Sequence, residues 1–165
     1  MASLTVTGLE EYQKAIEELG GSAKRIMKLA IYDGAKEIAD AVRARISSLH
    51  AEANIEGLTA WVQKRQSKLT ESQKDGLLSG LTLTKMQDSA GAVYTKLTFS
   101  GYNSTRTRKY PQGQPNIMIA GSIESGTSAT KKQPFVRPAL NEAKGRALKA
   151  MEQTADAEIK KIMGG

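Results

Sequence analysis

The side chains that carry most enzymatic and metal chemistry are sparse in this sequence. There is one histidine, His50, and no cysteine, which removes a disulfide framework, a thiolate nucleophile and a Cys-rich zinc site. His50 follows a stretch of helical periodicity, where a histidine interacts with the carbonyl end of the helix dipole, and no neighbouring Ser and acid arrangement reads as a triad. The dense carboxylates Glu10, Glu11, Glu17 and Glu18 fall on the wet face of an amphipathic segment, whereas a metal needs convergent ligands. Gly20 to Lys24 reads Gly-Gly-Ser-Ala-Lys. It lacks the first glycine and the final Ser/Thr of a phosphate-binding loop and is read as an interhelix turn. Paired-carboxylate hydrolysis needs two acids in one cleft, and residues 101–137 contain Glu124 alone. Glu124 is therefore read as structural, accepting hydrogen bonds from the turn at Gly126 and Thr127 or pairing with a nearby Lys or Arg. The expectation is a non-enzymatic chain with no metal and no cofactor.

Charge is the more informative chemistry. The net charge is +7 over 165 residues, a sign that points to a polyanionic neighbour. Residues 1–100 hold thirteen Lys/Arg against twelve Asp/Glu, and residues 138–165 hold five against four. Residues 101–137 hold Arg106, Arg108, Lys109, Lys131, Lys132 and Arg137 against Glu124, which is +5 of the total. The basic character is local. The absence of cysteine fits assembly in a reducing cytoplasm, no apolar run approaches the ~20 residues that cross a bilayer, and the first five residues lack a signal-peptide layout, so the chain reads as soluble and intracellular.

These residues must be positioned by a recognisable order of elements. Leu4 to Thr7 alternates as a half-buried strand and Gly8 ends it. Leu9, Tyr12, Ile16 and Leu19 then predict a three-turn helix stopped by Gly20-Gly21, and Ser22 is placed to cap a second helix to about Ser48. Its stripe is Ile31, Ala35, Ile38, Val42, Ile46 and Leu49, with Gly34 marking a close helix contact. Residues 50–76 read as a partly helical insertion in which Trp61 packs on the long helix or on a neighbouring subunit. Gly80 to Met86 and Val93 to Ser100 read as a hairpin turning through residues 87–92. Residues 101–115, with two Pro and two Gly, have no means of burying themselves and are expected as a surface loop. Asn116 caps a short helix with Ile117, Ala120 and Ile123 inward, or a strand runs from Ile117 to Ile119. Pro138 then opens a long C-terminal helix with stripe Leu140, Ala143, Ala147, Met151, Ala155, Ile159 and Ile162, ended by Gly164-Gly165. The expected fold is one α+β domain over residues 1–165, an antiparallel β-sheet packed on one side by a long central helix and a long C-terminal helix.

Glu124-Ser125-Gly126-Thr127, a short polar spacer, then Pro134-Phe135-Val136-Arg137-Pro138-Ala139-Leu140 and a long helix resemble the signature of the tail-component, or tail-completion, family of long-tailed bacteriophages. Val6-Thr7-Gly8-Leu9-Glu10-Glu11 is similar to the family's opening strand and helix start. Lys74-Asp75-Gly76-Leu77-Leu78 stands where members carry Thr-Gly-x-Leu before the hairpin, with Asp75 in place of the Thr. Ile119-Ala120 and Ser122-Ile123 stand where members commonly have Tyr-Ala. The residue types also make sense physically: Gly126 permits positive φ, Pro134 and Pro138 fix the path into the last helix, and Phe135 is an anchor for the core.

The resemblance implies a structural virion protein of the phage neck, which completes the tail and joins it to the head connector as a ring around the DNA channel. Assembly would take place in the host bacterial cytoplasm. The family-level expectation is a hexamer, with a dodecamer as the alternative. The implied partners are further copies of the chain, connector proteins and tail-tube or terminator proteins. Arg106, Arg108, Lys109, Lys131 and Lys132 are the candidates for reaching neighbouring subunits or for lining the channel near genomic DNA, a contact that would be sequence-independent and weakened by salt. A tail terminator capping the tube is the alternative within that class. A basic nucleic-acid-binding module, with Tyr102 and Tyr110 flanking Arg106 to Lys109, is the alternative outside it.

Overall fold

The computed structural model describes residues 9–51, 69–89, 92–128 and 130–164. The expected strand at Leu4 to Thr7 and the segment around Trp61 lie outside the described residues. In chain order the elements are α1 Leu9–Ser48, α2 Glu71–Gly80, β1 Leu81–Leu83, β2 Gln87–Ser89, β3 Ala92–Tyr94, β4 Leu97–Phe99, α3 Asn116–Ser125 and α4 Val136–Met163. The fold class is α+β, as the patterning indicates. Its β part is smaller than a full sheet: β1 pairs with β4 and β2 with β3, both antiparallel. Thr84 N–H donates to the Lys96 carbonyl at 2.9 Å between the two ladders, so they are two stretches of one long hairpin. Residues 87–89 and Ala92, expected as turn, are strand, and Val93 and Tyr94 are strand as expected.

The two helices expected on either side of Gly20-Gly21 are one helix of 40 residues. A glycine inside a helix costs only ~1 kcal/mol relative to Ala, and Lys, Glu, Ile, Leu and Ala on both sides favour continuation. Ser22 is consequently an interior residue. Gly34 does mark a close contact, since a Cβ there would lie 2.6 Å from Met151 Cγ and 3.1 Å from the Ala147 carbonyl. Across this seam α4 runs antiparallel to α1. Arg45 donates to Glu142 at 2.8 Å, Thr154 Oγ1 to Asp33 at 2.6 Å and Arg25 to Glu158 at 2.8 Å. Lys161 and Arg25 together hold the Glu158 carboxyl below its ordinary range.

The apolar face of α4 is Ala139, Ala143 and Ala147; Leu140 is exposed, contrary to the expected stripe. The helix starts at Val136, so Pro138 is its third residue and not its first; Ala143 and Ala147 of the expected stripe are buried, and Ala139 takes the place of Leu140. In α3 Ala120 and Ile123 are buried as expected, with Ile119 buried and Ile117 exposed. Asn116 does not cap α3; Pro115 occupies the cap position. The main core gathers Val42 and Ile46 of α1, Leu69, Leu77, Leu81, Phe99, the inner face of α3, Phe135 and the first alanines of α4. It therefore sits where α1 ends and α4 begins. No helix among the described residues is long and apolar enough to cross a membrane.

Candidate assembly face

Residues 124–140 connect α3 to α4, and the geometry turns on the start of α4. A helix leaves its first N–H groups without intrahelical acceptors. Here the Glu124 carboxylate, projecting from the last turn of α3, takes all of them. Its Oε2 accepts from Phe135 N–H at 2.7 Å and Val136 N–H at 2.9 Å, and its Oε1 accepts from Arg137 N–H at 3.1 Å. The next residue, Pro138, has no N–H to satisfy, and Ala139 N–H begins the helical ladder to the Phe135 carbonyl at 3.2 Å. Partial burial alone would raise the Glu124 pKa; the three backbone N–H bonds and the Arg137 charge outweigh it and hold the carboxyl below its ordinary value. The main partner of Glu124 is thus a helix N-terminus, where the dipole favours negative charge; the expected basic neighbour is Arg137, while the backbone N–H groups of Gly126 and Thr127 donate to the Ser122 and Thr130 carbonyls.

The rest of the motif serves the same junction. Gly126 ends α3 with φ 77°, and a Cβ there would lie 3.0 Å from that of Lys132. Thr127 N–H donates to the Thr130 carbonyl at 2.9 Å, while Thr130 N–H reaches Thr127 Oγ1 at 2.9 Å. Gln133 N–H then returns to the Ile123 carbonyl at 2.8 Å. Phe135 is fully buried, and its ring meets that of Phe99 edge to face with centroids 5.8 Å apart. Pro134, Arg137, Lys131 and Lys132 are exposed.

The loop at 101–115 is not self-supporting, yet its neck is anchored in a way its composition did not suggest. Asn103 and Asn116 are almost completely buried. Asn103 Nδ2 donates to the Gln114 carbonyl at 3.0 Å, its Oδ1 accepts from Thr105 N–H at 2.9 Å, and Asn116 Nδ2 donates to the Ser100 carbonyl at 2.8 Å. Gly76 and Gly80 on α2 make room: a Cβ at Gly76 would lie 2.6 Å from Asn103 Cβ, and one at Gly80 would lie 2.3 Å from the Ser100 carbonyl oxygen. Gln73, which completes the Thr70 capping box of α2, also donates to Gln114 at 2.8 Å. Beyond this neck, Arg106, Arg108 and Lys109 are exposed on a turn closed by Thr107 and Tyr110. Lys109 Nζ lies 5.5 Å from the centre of the Tyr110 ring.

No family model, curated protein or solved structure matches the chain. The site is accordingly described by its own geometry. The two basic groups lie at opposite ends of α3, Arg106 to Lys109 before it and Lys131 to Lys132 after it, rather than forming one cluster. Both segments are tied to the end of the molecule where α1 stops, because Lys74 Nζ at the start of α2 donates to the Leu49 carbonyl at 2.9 Å and Phe135 joins the same core. Sequence reading missed the Asn103, Asn116 and Gln114 neck. Its one local signal is Gly76 and Gly80, spaced one helical turn apart.

Proposed function

We propose that the chain is a structural protein of the phage neck, a ring subunit that completes the tail and joins it to the head connector around the DNA channel. The observation that carries this reading is the Glu124 junction. The residues that resemble the tail-completion signature, Glu124, Gly126, Thr127, Pro134, Phe135, Arg137 and Pro138, lie at a single turn that fixes where α4 begins. Of these, Glu124, Gly126, Thr127, Phe135, Arg137 and Pro138 have direct roles in that turn. This is a mechanical role, suited to a subunit that presents loops to neighbours at a set angle. The basic loops at either end of α3 serve as contact points with acidic surfaces of connector or tail proteins, or with DNA phosphates in the channel.

Deleting the gene from the particle's genome and imaging the lysate tests this. Full heads and finished tails that fail to join support the neck reading. Tails of uncontrolled length would instead support the terminator role, and normal joined particles would sink both. The nucleic-acid-module reading draws on Tyr102, 68% exposed and four residues before Arg106 in sequence. It requires salt-sensitive binding to single-stranded oligonucleotides by the chain alone, lost in Tyr102→Ala.

A further inference from the structure

Along the two long helices many cations are matched by acids. Lys24 pairs with Asp88 of the hairpin, Arg25 and Lys161 with Glu158, Arg45 with Glu142 and Arg146 with Glu37. Lys144, Lys149 and Lys160, exposed on α4, are interspersed with Glu142, Glu152 and Asp156. The loop before α3 is different. Arg106, Arg108 and Lys109 occupy three of four consecutive positions and are exposed, and residues 101–123 contain no Asp or Glu. None of the three pairs with a carboxylate among the described residues; α2 brings Glu71 only to the base of the loop, beside Ser72, whose hydroxyl meets that of Ser104. Like charges held this close repel one another, and a polyanion relieves that repulsion.

The loop is folded back on itself. At its base Asn103 N–H donates to the Gln114 carbonyl at 3.0 Å and Tyr102 bridges to Pro115. Farther out Thr107 and Tyr110 exchange both backbone bonds, at 3.1 and 3.0 Å, which makes a tight turn with Arg108 and Lys109 at its corners. Ser104, Arg106 and Arg108 are exposed while Thr105 and Thr107 between them are half-buried, so the guanidiniums face outward. These features select a partner. A stable protein contact needs an apolar or aromatic centre, and residues 104–114 contain no Val, Leu, Ile, Met or Phe; the exposed Tyr102 and Ile117 stand at the base instead. Single-stranded nucleic acid needs aromatic faces free to stack. Tyr110 is half-buried with Lys109 Nζ 5.5 Å from its ring centre, and Tyr102 lies at the other end of the loop. Duplex DNA asks only for outward cations, because it carries one charge per ~1.7 Å and its protein interfaces are more polar and more positive than those between proteins.

We propose that the turn from Arg106 to Lys109 contacts the phosphate backbone of duplex DNA without regard to sequence, its two guanidiniums and one ammonium each taking a separate phosphate. The buried Asn103 and Asn116 hold the base of the loop, so the charges are carried on a fixed support. Lys131 and Lys132, beyond the other end of α3, lie outside the contact. Three phosphates neutralised per chain set a slope of about −2.7 for log affinity against log salt, which weakens binding roughly 40-fold between about 50 and 200 mM. The inference rests on the neck reading and names the partner of one of its two basic segments.

The test is fluorescence anisotropy of a short labelled duplex of mixed sequence, titrated with the full chain at several salt concentrations. Arg106→Gln/Arg108→Gln/Lys109→Gln is expected to weaken binding by about tenfold or more with an unchanged melting temperature, and Arg108→Gln alone to reduce the salt slope by about 1. Lys144→Gln/Lys149→Gln/Lys160→Gln, which removes the same charge from α4, and Tyr102→Ala should each bind within about twofold of wild type. A wild type that does not bind the duplex, a loop variant that keeps its affinity, a slope that does not move in Arg108→Gln, or an α4 variant that loses as much as the loop variant overturns the proposal. So does tighter binding of a single strand of the same sequence, which assigns the loop to base stacking. Displacement of the duplex by polyglutamate of equal charge as readily as by unlabelled duplex assigns the loop to an acidic protein and also overturns it. If the chain fails to bind duplex while deletion of its gene still leaves heads and tails unjoined, this inference falls and the neck reading stands; particles that join normally without the gene remove the neck reading whatever the chain binds.

Discussion

At its C-terminal end α1 is enclosed on every side the core can reach. Val42 and Ile46 are fully buried against Leu69, Leu77 and Phe135, and two polar devices, the Glu124 cap and the Asn103–Asn116 neck, fix the segments that leave the core. At its N-terminal end the same helix runs beyond α4 and the hairpin, with Ile16 half exposed and two glycines that touch nothing. Glycines serve different purposes at the two ends. Gly76, Gly80 and Gly113 admit backbone or side chains closer than a Cβ would allow, whereas Gly20 and Gly21 only weaken the helix. The contrast teaches that tight packing here is spent on holding loop positions, and that the free length of α1 is held by no comparable packing among the described residues.

The largest expected effect sets the two ends against each other. Phe135→Ala empties a fully buried aromatic site and should cost about 3–5 kcal/mol in urea unfolding. Ile16→Ala should stay within about 0.5 kcal/mol of wild type in the monomer. Equal losses would mean that the projecting turns belong to the folding core after all. Gly80→Ala comes next. Its Cβ would strike the Ser100 carbonyl, the acceptor of Asn116, and prise apart the Ser100 N–H to Gly80 carbonyl bond of 2.8 Å. The expected loss is about 1–3 kcal/mol, with amide exchange accelerated in residues 101–115. An unchanged exchange pattern would show that the neck does not depend on that close approach.

How much of this was legible follows from the range of the interactions. The helical stripe of Ile38, Val42 and Ile46, the hairpin and the turn at Gly126 are local patterns, and the structure contains each of them. The partner of Glu124 was not legible, because its three donors lie eleven to thirteen residues away on another helix and no periodicity links them. The start of α4 is two residues earlier than Pro138 suggests, because Pro is equally acceptable at the first and third helical positions, where no N–H is needed; the stripe through Ala143 and Ala147 holds, with Ala139 and not Leu140 at its head. Gly20-Gly21 looked like a stop because two glycines usually are; their flanks decided otherwise. The buried Asn103 and Asn116 look like ordinary loop residues until the glycines of α2 are seen to receive them.

The cap makes a pH-dependent prediction. Glu124 has a folded pKa below its ordinary value of 4.5, so its contribution is fully present above that value and is lost as pH falls through it toward the folded pKa. Glu124→Gln keeps the shape but replaces one acceptor oxygen with a donor, leaving a helix N–H opposed. It should cost about 1–2 kcal/mol at neutral pH. The gap between wild type and Glu124→Gln should narrow as pH drops below about 4.5, and comparing the two cancels the other carboxylates that titrate in that range. A gap that stays constant with pH would assign the loss to packing and not to the charge on the cap.

The smallest effect has the opposite sign. Gly20→Ala meets nothing within 4 Å and removes a flexible residue from a helical position, so it should stabilise by roughly 0.5 kcal/mol and raise helicity by circular dichroism. The gain is small because the first turns of α1 contribute little to the cooperative core. A loss of stability in Gly20→Ala would instead show that the backbone at this position takes up a conformation that only glycine tolerates.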